Sequence, residues 1–225
     1  MTLTEELQER LRNDILSGAL RPGERLRIDR LKQMYGPSAT PLREALTRLA
    51  GEWVVESSDR SGFRVAAMSL SDLQDVTRVR VLLECEALRE SIARGDSAWE
   101  ASILAAHHRV SRMPCRVELA QYPEWEALNE SFHDSLIAAC GSPWILRLRR
   151  TVYYAHKRYR MLAIRHARCP EEAPSHIEFD RSDEHGMILE AALERDVDAA
   201  CVATRRHIET TQRVIVANRL LSESG

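Results

Sequence analysis

The sequence predicts a mainly α-helical protein with a small mixed module at its N-terminus. Glycines and prolines are concentrated between residues 18 and 62, which indicates short elements separated by turns. Beyond residue 67, apolar residues recur at helical spacing over long stretches with few breakers and no sustained alternation. We therefore predict one domain over residues 1–67 and an antiparallel helical bundle over residues 70–222.

The N-terminal domain is predicted to contain three helices followed by two short strands. The predicted elements are helices over residues 5–17, 28–35 and from residue 38 onward, and strands over residues 53–55 and 63–65. Ser38 or Thr40 can cap the third helix, and Pro41 falls in its first turn, where a missing N–H costs little. Three helices followed by a hairpin is the arrangement of a winged helix-turn-helix domain.

The start of the third helix carries residues suited to a DNA major groove. Small hydroxyls contact phosphates and arginine contacts phosphates or base edges, and Ser38, Thr40 and Arg43 supply these groups. Arg60 and Gly62 fall at the tip of the predicted wing. The alternative is a three-helix domain with solvated arginines, since residues 1–67 hold 11 basic and 10 acidic residues, a net charge of only +1.

Three runs in this domain resemble the DNA-binding domain of GntR-family bacterial transcription regulators. These runs are Ile15–Gly18, Leu20–Leu26 and Pro37–Leu46. The resemblance implies that Ser38, Thr40 and Arg43 contact DNA and that Gly62 lies in the wing. Ala39 stands where the family usually has a DNA-contacting arginine, so we do not expect Ala39 to contact bases.

The second domain is predicted to contain six helices, two of which carry histidines at matching heights. The predicted helices cover residues 70–93, 97–113, 121–139, 143–168, 176–194 and 197–220. His185 and His207 lie eleven residues before and after Asp196, so a helical hairpin turning there would place both ~16 Å from the turn. Asn129 and His133, four residues apart, project from one face of a third helix.

These four side chains form a plausible metal site. Imidazole nitrogens suit zinc, nickel, copper or iron, and the amide oxygen of Asn129 would be a weak, neutral fourth ligand. The alternative is that His133, His185 and His207 are ordinary core histidines with satisfied hydrogen bonds. Only the equal spacing about Asp196 favours the metal site over that alternative.

Most of residues 70–215 resembles the FCD effector domain, which follows the DNA-binding module in FadR-type members of the family. The resemblance rests on Val79–Glu84, Asn129–His133, Glu184–His185, Asp196 and His207. It implies a helical bundle that holds a divalent metal through Asn129, His133, His185 and His207, although the commoner residue at the first position is Asp. We expect zinc, with nickel or another transition metal as the alternative.

Such domains typically sense small organic acids that complete the coordination of the metal and lie against arginine. Arg80 and Glu84 are the pocket residues we predict from the first helix, because they flank an apolar stripe. Arg158 and Tyr159 are weaker predictions for the lining of the same cavity. The alternative for Arg80 and Glu84 is an ordinary ion pair on a solvated helix face.

Composition argues against several other classes of protein. The formal charge is 32 minus 34, or −2, which argues against a polybasic coat, and no apolar run approaches the ~20 residues of a membrane span. The acidic start does not resemble a signal peptide, and five scattered cysteines without a Cys-x-x-Cys motif fit a reducing compartment. We expect a cytoplasmic protein with no membrane partner.

The leading hypothesis is a transcription regulator, most simply a repressor, that binds palindromic operator DNA as a homodimer. A small carboxylate metabolite in the metal-containing pocket would be the effector. One alternative is a metal-dependent enzyme built on a helical bundle. Another is a regulator for which the metal itself is the signal.

Overall fold

The computed structural model describes residues 2–36, 38–58, 62–113, 121–166, 181–217 and 220–221. Helices dominate these residues, as the sequence predicts. The helices are α1 (Leu3–Leu16), α2 (Ile28–Tyr35), α3 (Ala39–Gly51), α4 (Leu70–Arg94), α5 (Ser97–Ser111), α6 (Tyr122–Leu136), α7 (Pro143–His166), α8 (Arg181–Leu193) and α9 (Val197–Ala217). The strands are β1 (Val55–Ser58) and β2 (Gly62–Val65).

The three N-terminal helices pack around one apolar core. Helix α1 begins with a capping box, in which the Thr2 hydroxyl accepts from the Glu5 N–H and the Glu5 carboxylate accepts from the Thr2 N–H. Leu11, Leu42 and Leu46 are fully buried in the shared core. Helix α3 begins after Ser38, whose side chain forms no capping hydrogen bond, so the predicted cap by that residue is not observed.

The two strands form the predicted antiparallel hairpin with a shifted first strand. Val55 pairs with Val65 and Ser58 pairs with Gly62. The prediction of a strand over residues 53–55 was wrong at its start, because Trp53 closes the end of α3 with a φ of 62° and its side chain is 74% exposed. The strand therefore starts at Val55, after the chain has left this left-handed turn.

A third segment, residues 24–26, extends the hairpin on one side, although no strand was predicted there. The N–H of Leu26 donates to the carbonyl of Phe63 at 2.9 Å, and the N–H of Val65 donates to the carbonyl of Glu24 at 2.9 Å. Arg25 and Arg64 form an isolated antiparallel bridge between these bonds. The segment before α2 thereby fixes the wing to the helical core.

The chain forms two compact units. The first comprises Met1–Val76, Thr151–Ala173 and Ile215–Gly225, and the second comprises Thr77–Arg150 and Pro174–Val214. The core of the second unit is built from buried apolar residues of α4, α5, α6, α8 and α9, among them Leu88, Ile103, Phe132, Ile188 and Ala200.

The α8–α9 hairpin turns at Arg195 and Asp196, as predicted. Arg195 adopts a φ of 60°, and the Asp196 carboxylate accepts from the N–H of Ala199 at 2.9 Å, which caps α9. The observed bounds of the hairpin helices, Arg181–Leu193 and Val197–Ala217, lie inside the predicted ranges 176–194 and 197–220. The turn thus has the position on which the histidine spacing depends.

Candidate functional site

Three histidines converge inside the second unit. His133 of α6, His185 of α8 and His207 of α9 place one ring nitrogen each within 4.8 Å of the others. His133 Nε2 and His207 Nε2 are 3.1 Å apart. His133 is 1% exposed and His185 is 3% exposed, so the cluster is enclosed by protein.

The equal spacing about Asp196 accounts for this convergence. At about 1.5 Å per residue, eleven residues on either side of the turn bring His185 and His207 to the same height on adjacent helices. Their ring centroids lie 4.7 Å apart, and each ring is also close to that of His133, at 5.3 Å and 4.9 Å respectively. The predicted juxtaposition of the three imidazoles is therefore observed.

The geometry of the cluster fits a transition-metal ion. Two imidazole nitrogens bound to one ion at ~2.0–2.1 Å lie about 3.0–3.4 Å apart, depending on the coordination geometry. The separation of 3.1 Å between the Nε2 atoms of His133 and His207 meets this requirement. The remaining nitrogen, from His185, lies within reach after a small adjustment of its ring, since no pair exceeds 4.8 Å.

The protonation states also favour metal binding. Burial, together with the nearby rings of His207 and His185, holds the pKa of His133 well below the usual 6.5, so this imidazole is neutral at pH 7. His207 Nδ1 lies 3.0 Å from the Glu184 carboxylate, which accepts its proton and leaves the lone pair of His207 on Nε2. Carboxylates commonly orient metal-binding histidines in this way.

Glu184 was missed by the sequence analysis as a functional residue. Its second carboxylate oxygen accepts from the Thr210 hydroxyl at 2.9 Å, which fixes the carboxylate in place. Burial raises the pKa of Glu184, but contacts with His207, Thr210 and Arg213 together outweigh burial, so the net pKa is lowered. The one available signal was its position directly before His185.

Asn129 has the predicted placement on α6. It lies one helical turn before His133, and both side chains are 1% exposed. Residues four apart in a helix share a face, so Asn129 belongs to the same buried face as the histidine. Coordination by its amide oxygen stays a prediction.

A buried charged cluster lies beside the histidines. The Glu84 carboxylate accepts from Arg80 Nε at 3.3 Å and from Arg149 Nε at 3.0 Å, and all three side chains are at most 4% exposed. Arg149 also pairs through Nη1 with Asp134. The alternative of a solvated ion pair for Arg80 and Glu84 is therefore wrong, because helix α4 turns both residues into the protein.

Electrostatics link the two clusters. The positive charges of Arg80 and Arg149 add to the effects of burial and the neighbouring histidines in lowering the pKa of His133. Burial raises the pKa of Glu84, but Arg149 and Arg80 outweigh burial and keep the carboxylate ionised. The two guanidinium charges of Arg80 and Arg149 are balanced by the buried Glu84 carboxylate and by Asp134, whose side chain is 56% exposed.

Arg149 was the second functional residue that the sequence analysis missed. It shares a helical stripe with Leu146 and Tyr153, at spacings of three and four residues. Arg147 and Arg150 flank it on exposed faces of α7, so the run of arginines alone could not indicate which one enters the protein. Only the stripe of apolar neighbours marked residue 149.

Arg158 and Tyr159 lie elsewhere in α7, within the first unit. Arg158 Nη2 donates to the carbonyl of Ala66, and the Tyr159 hydroxyl donates to the Asp72 carboxylate at 2.5 Å. Both side chains thus hold the segment that connects β2 to α4. These contacts give no support to the prediction that they line the cavity of Arg80 and Glu84.

The predicted DNA-contacting residues lie on the outside of the first unit. Ser38, Thr40 and Arg43 are exposed at the first turns of α3, and Arg43 forms no ion pair with any described residue. Gly62 is exposed at the base of the wing tip with a φ of 72°, a conformation that glycine adopts without strain. Arg60 falls outside the described residues.

Comparisons with known proteins agree with this arrangement. Residues 3–65 match the model of "Bacterial regulatory proteins, gntR family", and residues 75–210 match the FCD domain. The chain is 36% identical over 217 residues to BphR of Paraburkholderia xenovorans, a protein named as an uncharacterized HTH-type transcriptional regulator. That match covers 95% of this chain and 85% of BphR. The chain belongs to the GntR family of transcription regulators, with an FCD domain.

Further relatives of this GntR-family regulator carry similar names. GlaR of Escherichia coli, named as an HTH-type transcriptional repressor, is 34% identical over 91% of this chain and 92% of its own length. The E. coli McbR/YncC structure has the same fold, with a TM-score of 0.73 at 19% identity over 97% of this chain and 98% of that one. The family is one of regulators and not of enzymes, which removes the enzyme alternative.

The part of the regulator that the structure describes includes no helix with both the length and the apolar composition needed to cross a bilayer.

Proposed function

We propose that this GntR-family regulator is a metabolite-responsive repressor that binds a palindromic operator as a homodimer in the cytoplasm. In this proposal residues 1–67 bind DNA, and residues 70–222 bind a small organic acid together with a divalent metal. The observation that carries the proposal is the buried pair of arginines, Arg80 and Arg149, next to three convergent histidines.

DNA binding is proposed for the exposed start of α3 and for the wing. Ser38 and Thr40 offer hydroxyls for phosphates, and Arg43 offers a guanidinium for a base edge or the backbone. Arg60 and Gly62 would belong to the wing, next to the minor groove. One module reads a half-site, and the two-fold axis of a homodimer would place the second module on the other half of a palindrome.

Metal binding is proposed for Asn129, His133, His185 and His207. Three imidazole nitrogens favour zinc, nickel or a similar borderline ion, and Asn129 would supply a neutral oxygen. A bound divalent ion would supply a Lewis-acidic position for the oxygen of an effector. Glu184 holds His207 in the tautomer that ligation requires.

The charge of the pocket favours an anionic effector. Arg80 and Arg149 bring two guanidinium groups against the buried Glu84 carboxylate, and Arg149 also pairs with the half-exposed Asp134. A guanidinium can hold a carboxylate through two parallel hydrogen bonds. A small mono- or dicarboxylic acid can take the place of Glu84 or Asp134 on these guanidinium groups, whereas a cationic metabolite would be repelled by them.

Control of DNA binding follows from differential affinity. An acid that binds one arrangement of the helical domain more tightly shifts the population toward that arrangement. The spacing of the two reading modules in the dimer, and therefore operator affinity, changes with it. Coupling of this type is typically about 1–3 kcal/mol, or 5- to 150-fold in affinity.

The test is an anisotropy titration of labelled DNA from the region upstream of the regulator's own gene. Metal-loaded protein is titrated alone and then with a panel of small mono-, di- and tricarboxylates, with a matched panel of amines and sugars as the chemical control. At least one acid should change operator affinity by fivefold or more. A response to amines or sugars but to no acid would contradict the proposal.

One variant pair sharpens this test. Arg149→Gln should abolish the response to the acid, whereas Arg150→Gln, on an exposed face of the same helix, should preserve it. Operator binding without acid should stay the same in Arg150→Gln.

The same titration distinguishes the metal-sensing alternative, which the short separation of the histidine nitrogens also favours. Metal-free protein is titrated with zinc or nickel in the absence of any acid. A change in operator affinity on adding metal alone would identify the metal as the signal. In an acid sensor, operator affinity would change only when the acid is added after the metal.

A further inference from the structure

Two cysteines face each other across the second unit, away from the histidine nitrogens. Cys85 lies on α4 and Cys201 on α9. The thiol of Cys85 donates to the backbone carbonyl of Cys201 at 3.6 Å, and the thiol of Cys201 donates to the carbonyl of Cys85 at 3.7 Å. Each sulfur therefore lies against the backbone of the other cysteine.

This reciprocal contact brings the two cysteines together, which is the first requirement for a disulfide. Two cysteines can be bridged only if their Cα atoms lie within about 7 Å and their side chains point toward each other. Each thiol reaches across to the backbone of the other cysteine, so both side chains extend toward the opposite helix. Both residues are also half-buried, so a small reagent in solvent can reach them.

We propose that Cys85 and Cys201 form a reversible intramolecular disulfide when the regulator meets a low-molecular-weight disulfide such as oxidised glutathione. The bridge joins α4 to α9 within one chain. Neither the family match nor the metal site requires these two thiols.

The environment of the pair selects Cys201 as the attacking thiol. A hydrogen bond from Cys85 lowers the pKa of Cys201 to about 7, against the opposing effect of burial, and Arg89 adds a favourable positive charge. Asp198 and Glu86 oppose that effect. The pKa of Cys85 is raised by the same thiol contact and by burial.

The reaction balances as two thiol–disulfide exchanges. The thiolate of Cys201 attacks one sulfur of oxidised glutathione, which breaks the S–S bond and releases one glutathione thiolate that takes up a proton. Cys85 then loses its proton and attacks the sulfur of Cys201, releasing the second glutathione. The two protein thiols are oxidised by two electrons, and oxidised glutathione is reduced to two thiols.

The position of the bridge connects it to the pocket. Glu84 directly precedes Cys85 on α4, and His207 follows Cys201 by six residues on α9. A covalent link would therefore fix two helices that carry the buried arginine–glutamate cluster and a histidine of the proposed metal site. This consequence rests on the proposed function, whereas the disulfide itself does not.

Cys140 provides a matched control within the same unit. Its thiol donates to the Glu90 carboxylate at 3.4 Å, and burial together with Glu90 outweighs the lowering effect of a backbone hydrogen bond, so the pKa of Cys140 is raised. A thiol with a raised pKa and a carboxylate neighbour reacts slowly with disulfides.

The experiment treats full-length protein with oxidised glutathione, blocks the remaining thiols and counts them under denaturing conditions. The five thiols should fall by two, to three, and dithiothreitol should restore all five. Trypsin under non-reducing conditions should yield peptide 81–89 linked to peptide 196–205, with the loss of two hydrogens. Cys85→Ser and Cys201→Ser should each abolish this product, and Cys140→Ser should keep it.

Retention of all five thiols in the folded parent protein would overturn the proposal, as would a linked product that joins other cysteines or two separate chains. The peptide map of the parent protein decides this even if a serine variant fails to fold. The measurement needs neither metal nor DNA. Failure here would therefore leave the proposed function standing, and failure of the effector titration would leave the disulfide standing.

Discussion

The DNA-reading module and the histidine pocket are built in opposite ways. The module uses neighbouring elements: α1, α2, α3 and the wing follow one another within residues 3–65, and their core residues are local partners. The pocket draws on residues 80, 84, 133, 149, 185 and 207, which lie on α4, α6, α7, α8 and α9. Sequence proximity defines the first region, and only packing assembles the second.

The two regions also place their charges differently. Arg43 stands in solvent at the start of α3, where a change affects a partner more than the fold. Arg80, Glu84 and Arg149 are buried together, and the Glu84 carboxylate offsets the cost of desolvating both arginines. Substitutions should therefore change binding alone in the module, and both stability and binding in the pocket.

The largest expected effect is in the pocket. Glu84→Gln removes the carboxylate that accepts from both arginines and leaves two buried positive charges without it. Removal of one partner from a buried ion pair costs about 3–5 kcal/mol of unfolding free energy. Urea unfolding of metal-free protein measures this loss.

The control is Glu86→Gln, two residues further along α4, where the side chain is 55% exposed and pairs only loosely with Arg89 at 3.7 Å. That variant should stay within ~0.5 kcal/mol of the parent. Equal unfolding midpoints for the two variants would show that Glu84 does not hold the pocket together.

The next effect concerns the histidine cluster. His207→Ala should abolish stoichiometric metal binding, and Glu184→Gln should lower metal affinity by about 10- to 100-fold because it loosens the His207 ring. Elemental analysis and a competitive chelator titration measure the two outcomes. His108→Ala, at an exposed position, is the control. Full metal content in the His207 variant would contradict the assignment of the metal site.

In the reading module the effect should appear in DNA binding alone. Arg43→Ala should weaken operator binding by about 1–3 kcal/mol, or roughly 5- to 150-fold, without a change in unfolding midpoint. Arg48→Ala, in the last turn of the same helix and paired with Glu44, is the matched control. A loss of stability with Arg43→Ala would contradict the expectation that substitutions in the module change DNA binding alone. Unchanged operator affinity would contradict the prediction that Arg43 contacts the major groove.

A smaller expected effect is a pH dependence of stability that originates from His133 in the pocket. The folded pKa of His133 lies well below the unfolded value of 6.5, so the unfolded state takes up the proton first as the pH falls. The stability of metal-free protein should therefore be full above pH 6.5 and decline below it, by up to ~1.4 kcal/mol per pH unit for this group. Urea titrations between pH 5 and 7.5, with His133→Gln as reference, measure the slope, and an unchanged slope in that variant would assign it elsewhere.

The smallest expected effect tests whether residue 129 is a metal ligand. Asn129→Asp adds one negative charge to the buried face of α6 that carries His133 and should tighten metal binding. An unchanged chelator titration would mean that residue 129 does not face the ion. The arginines near His133 should keep the new carboxylate ionised.

Much of the fold follows from local pattern. The spacing of apolar residues placed the helices, and Gly36, Pro41 and the Arg195-Asp196 turn placed their ends within a few residues. The first strand was predicted to start at residue 53 instead of Val55. The apolar run Trp53-Val54-Val55 does not reveal that residue 53 adopts a left-handed conformation. The edge formed by residues 24–26 carries no strand pattern, and it exists only because β2 lies beside it.

The sequence by itself determined which residues can form helices, where those helices turn, and which histidines lie at equal heights, because these properties depend on spacing along one chain. Tertiary packing decided that Arg149 contacts Glu84, that Glu184 contacts His207, and that Arg158 and Tyr159 contact Ala66 and Asp72. The physical reason is that the environment of a charged side chain is set by helices distant in sequence. A periodic pattern shows which face of a helix is buried, but it cannot show which residues of other helices contact that face.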